Sequence, residues 1–211
     1  MNKAFIFDMD GTIIDSMSFW KRVPTLYLQS INIKNIACDV DQIVQAMPVS
    51  QSAKYLIDTY DLNKTTKEVQ SEILQLISEQ FCKLVPLKKG IKTFLEKNKN
   101  IKMVVATASP KKLAQEILIY HGVYDYFDDI LSCDDYKTSK DNPLIFIESA
   151  KIMNQKISDC FVFEDNLEAI LTAKKAGFKI IGIKDDYFID DQQEIKNNVD
   201  IYIEDFENLN L

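Results

Sequence analysis

Asp8 and Asp10 stand two residues apart in the stretch Phe5-Ile6-Phe7-Asp8-Met9-Asp10-Gly11-Thr12. Three apolar residues lead straight into them. A short apolar run bounded by Asp and Gly reads as a buried strand that ends in a turn. In open α/β sheets, ligands bind at the carboxyl ends of the strands. Two carboxylates this close repel each other unless a positive charge lies beside them. A hard divalent cation that takes oxygen ligands, such as Mg²⁺, meets that need. Asp-x-Asp-Gly is also ordinary turn chemistry, and the pair alone does not separate the two readings.

Other polar residues close strand-like runs further along the chain. Thr107 follows the apolar run 101–106, Glu164 and Asp165 follow 160–163, and Lys140 lies in a loop before a helix. Parallel strands bring their carboxyl ends to one edge of a sheet, so these side chains can converge. Together they have the types that phosphoryl transfer needs. One carboxylate can act as nucleophile and form an acyl phosphate. A second can protonate the leaving oxygen and then activate water. A hydroxyl and an ammonium can hold the phosphoryl oxygens, and further acids can hold Mg²⁺. Taken singly, each has a plainer reading: a strand-end hydroxyl for Thr107, a solvated lysine for Lys140, helix capping for Glu164 and Asp165. Ser109, Ser132 and Lys137 read as ordinary polar residues, with phosphate contact a second reading for Ser109. The single histidine, His121, precedes Gly122 and fits the last turn of a helix. Catalysis built on His is therefore not expected, and acid–base work falls to carboxylates.

The elements that must position these residues alternate. Strands are expected over residues 3–8, 101–106, 129–132, 160–163 and 179–184, with a short sixth at 201–203. Helices are expected between them, with a loop over 133–142. This is the pattern of right-handed βαβ units and a parallel sheet covered on both faces. Residues 15–85 break the alternation. Phe19, Trp20, Val23, Tyr27 and Leu28 recur at helical spacing, as do Ile43, Val44 and Met47, and Val69, Ile73, Leu76, Ile77 and Phe81. Thr65 followed by Glu68 marks a helix start. The segment reads as an all-helical insert whose aromatics form its own core. The division expected is 1–14 with 86–211 for the α/β part, and 15–85 for the insert.

The chain has 211 residues, net charge −7 and a calculated pI near 4.8. That acidity argues against a nucleic-acid partner or an anionic membrane surface. It does not exclude an anionic substrate, because a metal and a few lysines can invert the local field. Cys38, Cys82, Cys133 and Cys160 form no CxxC pair and read as reduced, packed thiols of a cytoplasmic protein. The opening apolar run is too short for a signal peptide or a membrane span.

In these residues the chain resembles the haloacid dehalogenase superfamily. Asp8-Met9-Asp10-Gly11-Thr12 is similar to the family's first motif, Thr107 to its second, Lys140 with Pro143 and Phe146 to its third, and Glu164-Asp165 to its fourth. The resemblance implies an α/β fold, with a Rossmann-like parallel-sheet core and residues 15–85 as a small helical cap. It implies Asp8 as nucleophile, Asp10 as general acid and base, and Thr107 and Lys140 on the phosphoryl group. Asp8, Glu164, Asp165 and the main-chain oxygen of Asp10 would hold Mg²⁺. The cap's place resembles the subgroup of β-phosphoglucomutases, phosphoglycolate phosphatases and sugar-phosphate phosphatases, in which the cap closes over the site and selects substrate. Some residues depart from the pattern. Asp141 and Asn142 follow Lys140, and Asn166 and Ala169 stand where Ser and Gly are usual. The expected activity is hydrolysis of a small phosphorylated metabolite. Alternatives are a sugar-phosphate mutase or a non-catalytic phosphate-binding protein. Trp20 occupies the place where the mutases carry a cap histidine, and Asp10 is not needed for dehalogenation, so hydrolysis is favoured.

Overall fold

The structure, a computed structural model, describes residues 3–45, 49–207 and 209–211. Met47 therefore lies outside the described residues. In chain order the elements begin with β1 (Ala4–Phe7), α1 (Met17–Ser30), α2 (Val40–Gln45), α3 (Val49–Tyr60) and α4 (Thr66–Leu84). They continue with α5 (Ile91–Lys97), β2 (Lys102–Thr107), α6 (Lys111–Tyr120), β3 (Asp129–Ser132), α7 (Cys133–Tyr136) and α8 (Leu144–Ile152). Last come β4 (Cys160–Glu164), α9 (Leu167–Lys175), β5 (Lys179–Ile183), α10 (Gln192–Asn198) and β6 (Ile201–Ile203). The chain forms two compact units, Met1–Asp15 with Pro86–Leu211, and Ser16–Val85. Asp15 groups with the α/β unit because its N–H donates to the Pro86 carbonyl at 2.8 Å.

The α/β unit holds a parallel sheet in the order β3-β2-β1-β4-β5-β6. β1 lies inside it, paired with β2 and β4. All four of its residues are buried, which is why the run 4–7 is apolar without alternation. Successive side chains still point to opposite faces. Ala4 and Ile6 join a core with Val104, Phe146, Val162, Ile170 and Ile180. On the other side Phe5 and Phe7 join an aromatic cluster. Phe7 stacks on Phe163 with ring centroids 4.2 Å apart, Phe5 lies 5.7 Å from Phe94, and Phe94 lies 5.5 Å from Phe206. Such pairs add roughly 0.5–1.5 kcal/mol each beyond their area burial.

Two segments differ from the expectation. The expected loop 133–142 begins with the short helix α7. Ser132 accepts a hydrogen bond from the Asp134 N–H, and Asp134 and Asp135 lie in the first turn, where negative charge suits the helix dipole. Lys137, at φ 50°, ends it after four residues, too few to leave a periodic signal. After β5 the chain forms a 3-10 helix, Asp186–Asp191, and then α10, in a stretch where no periodicity marked an element.

The helical unit comprises α1 to α4. Its core gathers Tyr27, Leu28, Val40, Val44, Leu56, Val69, Ile73 and Leu76. α4 starts on a capping box in which the Thr65 hydroxyl accepts from the Glu68 N–H and the Glu68 carboxylate accepts from the Thr65 N–H. Buried Phe19 meets buried Phe81 at 5.1 Å, so these aromatics pack as core. Cys133 and Cys160 are buried, Cys82 is half-buried, Cys38 is exposed, and none of the four is joined in a disulfide. Among the described residues, no helix is long and apolar enough to cross a membrane.

Removing the central ring of the aromatic cluster tests its weight. Phe7→Ala is expected to cost about 3–5 kcal/mol in urea unfolding. Ile119→Ala, at a residue 54% exposed, is expected to stay within about 0.5 kcal/mol.

Candidate active site

β1 delivers Asp8 to the sheet edge. Its N–H still pairs with the Phe163 carbonyl at 2.9 Å, so the backbone there is held by β4. The chain then folds back. The Met9 carbonyl accepts from the N–H groups of Ile13 and Ile14 at 2.9 and 3.0 Å, and the Gly11 N–H donates to Ile14. Gly11 has φ 84°, and a Cβ there would run into the Asp165 carboxylate. Glycine is thus required twice over at this position. The turn and the carboxylate site, alternatives in the sequence, are the same object.

Lys140 binds the Asp8 Oδ1 and also lies 2.7 Å from Glu164 Oε2. Its ammonium is 5.9 Å from the Phe146 ring centre, so the Lys140, Pro143 and Phe146 spacing brings the ring on α8 under the lysine. The other Glu164 oxygen accepts from the N–H groups of Asp165 and Asn166 at 3.3 and 3.2 Å. Asn166 caps α9 by accepting from the Ala169 N–H at 3.1 Å. The residue that stands in place of the usual Ser therefore does the capping.

Asp8, Glu164 and Asp165 are all buried, and one oxygen from each lies within 4.8 Å of the others. Three carboxylates against one ammonium leave two excess negative charges when all are ionised. Burial, then the Glu164 charge, pushes the Asp8 carboxyl up to about 8, although Lys140 pulls the other way and Asp10 adds a smaller push. Burial, then the charges of Asp8 and Glu164, raises Asp165 well above the usual carboxylate range. Burial alone would lower the Lys140 ammonium, but Asp8 and Glu164 outweigh it and hold the lysine charged. Asp8 Oδ2 and Asp165 Oδ2 are buried with no hydrogen-bond partner. A buried carboxylate oxygen without a donor is costly. A divalent cation with oxygen ligands fits that pair of oxygens and that charge.

Thr107 is fully buried at the end of β2, and its hydroxyl oxygen accepts from the Ser109 N–H at 2.9 Å. Asp10 is half-buried, and its side chain is outside the acidic trio found among the described residues. Instead its Oδ2 accepts from the Ser109 hydroxyl at 2.7 Å. Ser132, in turn, donates to the Ser109 carbonyl at 2.8 Å. Sequence reasoning left Ser132 as an ordinary polar residue and offered Ser109 only phosphate contact as a second reading, since the partners seen here lie 99 and 23 residues away.

A second feature has the same cause. Asp185, 3% exposed, is paired with Lys88 at 2.7 Å, and Lys88 also lies 3.5 Å from Asp15. The pair ties the loop after β5 to the chain at Asp15 and Pro86–Lys88, and the Asp185 charge adds to the field on Asp165. No motif marked it, because the partners are 97 residues apart.

Residues 2–177 match the family model of the haloacid dehalogenase-like hydrolases, and the chain belongs to that family. A phosphorylated carbohydrates phosphatase from Thermotoga maritima is 25% identical over 181 residues, covering 85% of this chain and 83% of the relative. A bifunctional riboflavin kinase/FMN phosphatase from Arabidopsis thaliana is 26% identical over 186 residues, 87% of this chain, which spans 48% of that larger protein. A crystal structure of a putative β-phosphoglucomutase from Thermotoga maritima superposes with TM-score 0.81 over 95% of this chain and 94% of that one. At 22% identity it shows the shared fold alone.

The raised Asp8 carboxyl makes a pH-linked prediction. A folded-state value above the unfolded one stabilises the protein fully below about pH 4, and that contribution is lost as pH rises through about 8. Melting temperature without divalent cation is therefore expected to fall over this window, and less so in Asp8→Asn. Added Mg²⁺ is expected to raise the wild-type melting temperature more at about pH 8 than at about pH 5. Equal shifts at both would show that no proton is released on binding.

Proposed function

We propose that this haloacid dehalogenase-like hydrolase is a Mg²⁺-dependent phosphatase that cleaves a small phosphorylated metabolite through an aspartyl-phosphate on Asp8. The observation that carries the reading is the pair of partnerless buried oxygens, Asp8 Oδ2 and Asp165 Oδ2, beside a lysine held charged. Relatives named as phosphatases of phosphorylated carbohydrates and of FMN support the substrate class. Four cysteines outside any disulfide support a cytoplasmic setting.

Asp8, Asp165, Glu164 and the Asp10 main-chain oxygen would hold the cation. When bound, it supplies positive charge that keeps Asp8 ionised and offsets repulsion between carboxylate and phosphate. In the first half-reaction an Asp8 oxygen attacks phosphorus and the bond from phosphorus to the ester oxygen breaks. Asp10 gives its proton to the departing alkoxide. In the second half, Asp10 takes a proton from water, whose oxygen attacks phosphorus and frees Asp8 and inorganic phosphate. Lys140, held between Asp8 and Glu164, fixes the nucleophile and faces the charge that gathers on the phosphoryl oxygens. Thr107 accepts from a backbone N–H and keeps its own proton to donate to phosphate. Substrate choice belongs, on this reading, to the helical unit. Trp20, where a mutase would carry histidine, favours release of phosphate over its return to a sugar.

Asp8→Asn is expected to lower phosphate release by several orders of magnitude, towards the loss of about 10⁶-fold seen when a hydrolase nucleophile is removed. Its melting temperature should not fall, since the neutral amide resembles the protonated carboxyl. The assay is Mg²⁺-dependent release of phosphate from p-nitrophenyl phosphate and from a panel of phosphorylated sugars, nucleotides and acids. Full activity in the variant, or glucose-phosphate isomerisation without release, would sink the assignment.

A further inference from the structure

Ser109 and Ser132 form a chain of hydroxyl and backbone groups that ends on Asp10. Both lie in the α/β unit with it. Ser132 is fully buried at the end of β3, where it pairs with Thr107 across the sheet. It donates to the Ser109 carbonyl at 2.8 Å, while the Ser109 N–H donates to the Thr107 hydroxyl at 2.9 Å. The Ser109 backbone is thus gripped from both ends, by side chains rooted in β2 and β3. A serine hydroxyl has one proton to donate. With its backbone fixed, Ser109 donates that proton to Asp10 Oδ2 at 2.7 Å.

We propose that Ser109 is a positioning residue for the proton carrier: its hydroxyl fixes the Asp10 carboxyl so that Oδ2 serves as acceptor and Oδ1 bears the transferable proton. The inference rests on the phosphatase reading above. Two equivalent oxygens would let the carboxyl rotate and present its proton in more than one direction. A donor anchored to the sheet breaks that equivalence and aims one oxygen at the leaving group. No atom changes its count in this role. The proton still passes from Asp10 to the ester oxygen and returns from water. Ser132 and Thr107 supply the rigidity, so Thr107 serves the proton carrier as well as the phosphoryl group.

A proton donor matters most when the leaving group is poor. The ratio kcat/KM reports the steps up to phosphoenzyme formation, so the test compares it for phenyl phosphate and for p-nitrophenyl phosphate. Ser109→Ala is expected to lower the value for phenyl phosphate about tenfold more than the value for p-nitrophenyl phosphate, because an acid misplaced by a fraction of an ångström loses part of its effect. The fall should lie in kcat, with KM little changed. Ser109→Thr, which keeps the hydroxyl, is expected to restore the ratio. Ser132→Ala, which loosens the grip but leaves the donor, is expected to shift the ratio the same way by a smaller factor. An equal fall for both esters in Ser109→Ala, or no rescue by Ser109→Thr, overturns the role and leaves the phosphatase reading standing. If the wild-type protein cleaves neither ester in Mg²⁺, the phosphatase reading fails and takes this inference with it.

Discussion

Three buried carboxylates share one lysine at the edge of the sheet, and the remainder of the site follows from that imbalance. At an effective dielectric constant of about 20, two charges roughly 4–5 Å apart interact by about 3–4 kcal/mol. Asp8, Glu164 and Asp165 form three repelling pairs, whereas Lys140 makes close ion pairs with only two of them. Desolvation of each carboxylate adds to the deficit. Without a further positive charge the cluster relieves itself by holding protons, which is the physical content of the raised Asp8 and Asp165 carboxyls. A group arranged so that it cannot be satisfied by the protein alone is suited to a cation.

That strained arrangement persists because its backbone is not free to relax. Asp8 hangs from a strand buried on both faces, paired with β2 and β4 and backed by the Phe5, Phe7 and Phe163 rings. Glu164 ends β4, and the next residue, Asp165, sits against Gly11, where any side chain would collide. The cost of the site is met by the core beneath it, as expected where local strain is retained at functional positions. Glu164 is anchored at both oxygens, by Lys140 and by two backbone N–H groups, so it orients the lysine as well as contributing charge.

Asp10 has a different environment, although it lies only two residues from Asp8. It is half-buried, stands outside the acidic trio and takes a hydroxyl donor from Ser109. Two carboxylates in one short motif are thereby given unlike surroundings, as the proposed division into a nucleophile and a proton carrier requires.

Much of this was legible in the sequence. Apolar runs ending in polar residues marked the strands of the sheet, because a strand buried on both faces must be apolar throughout and a site needs polar groups where it stops. Four spaced motifs marked Asp8, Asp10, Thr107, Lys140, Glu164 and Asp165 as residues of the types that phosphoryl transfer would use, and the structure gathers Asp8, Lys140, Glu164 and Asp165. The capping box at Thr65 was readable because its partners lie within one turn. Short elements were not: α7 and the segment after β5 hold together through caps and single contacts, too few residues for a period to emerge. The Ser109 hydroxyl on Asp10, the Ser132 grip behind it, and the Lys88–Asp185 pair were invisible for another reason. Their partners are separated by 99, 23 and 97 residues, and only the parallel sheet brings such positions to one edge. The sequence determined which groups are available and at which strand ends. The tertiary structure decided which oxygens are matched and which are left bare, because that depends on distances across strands that no local spacing encodes.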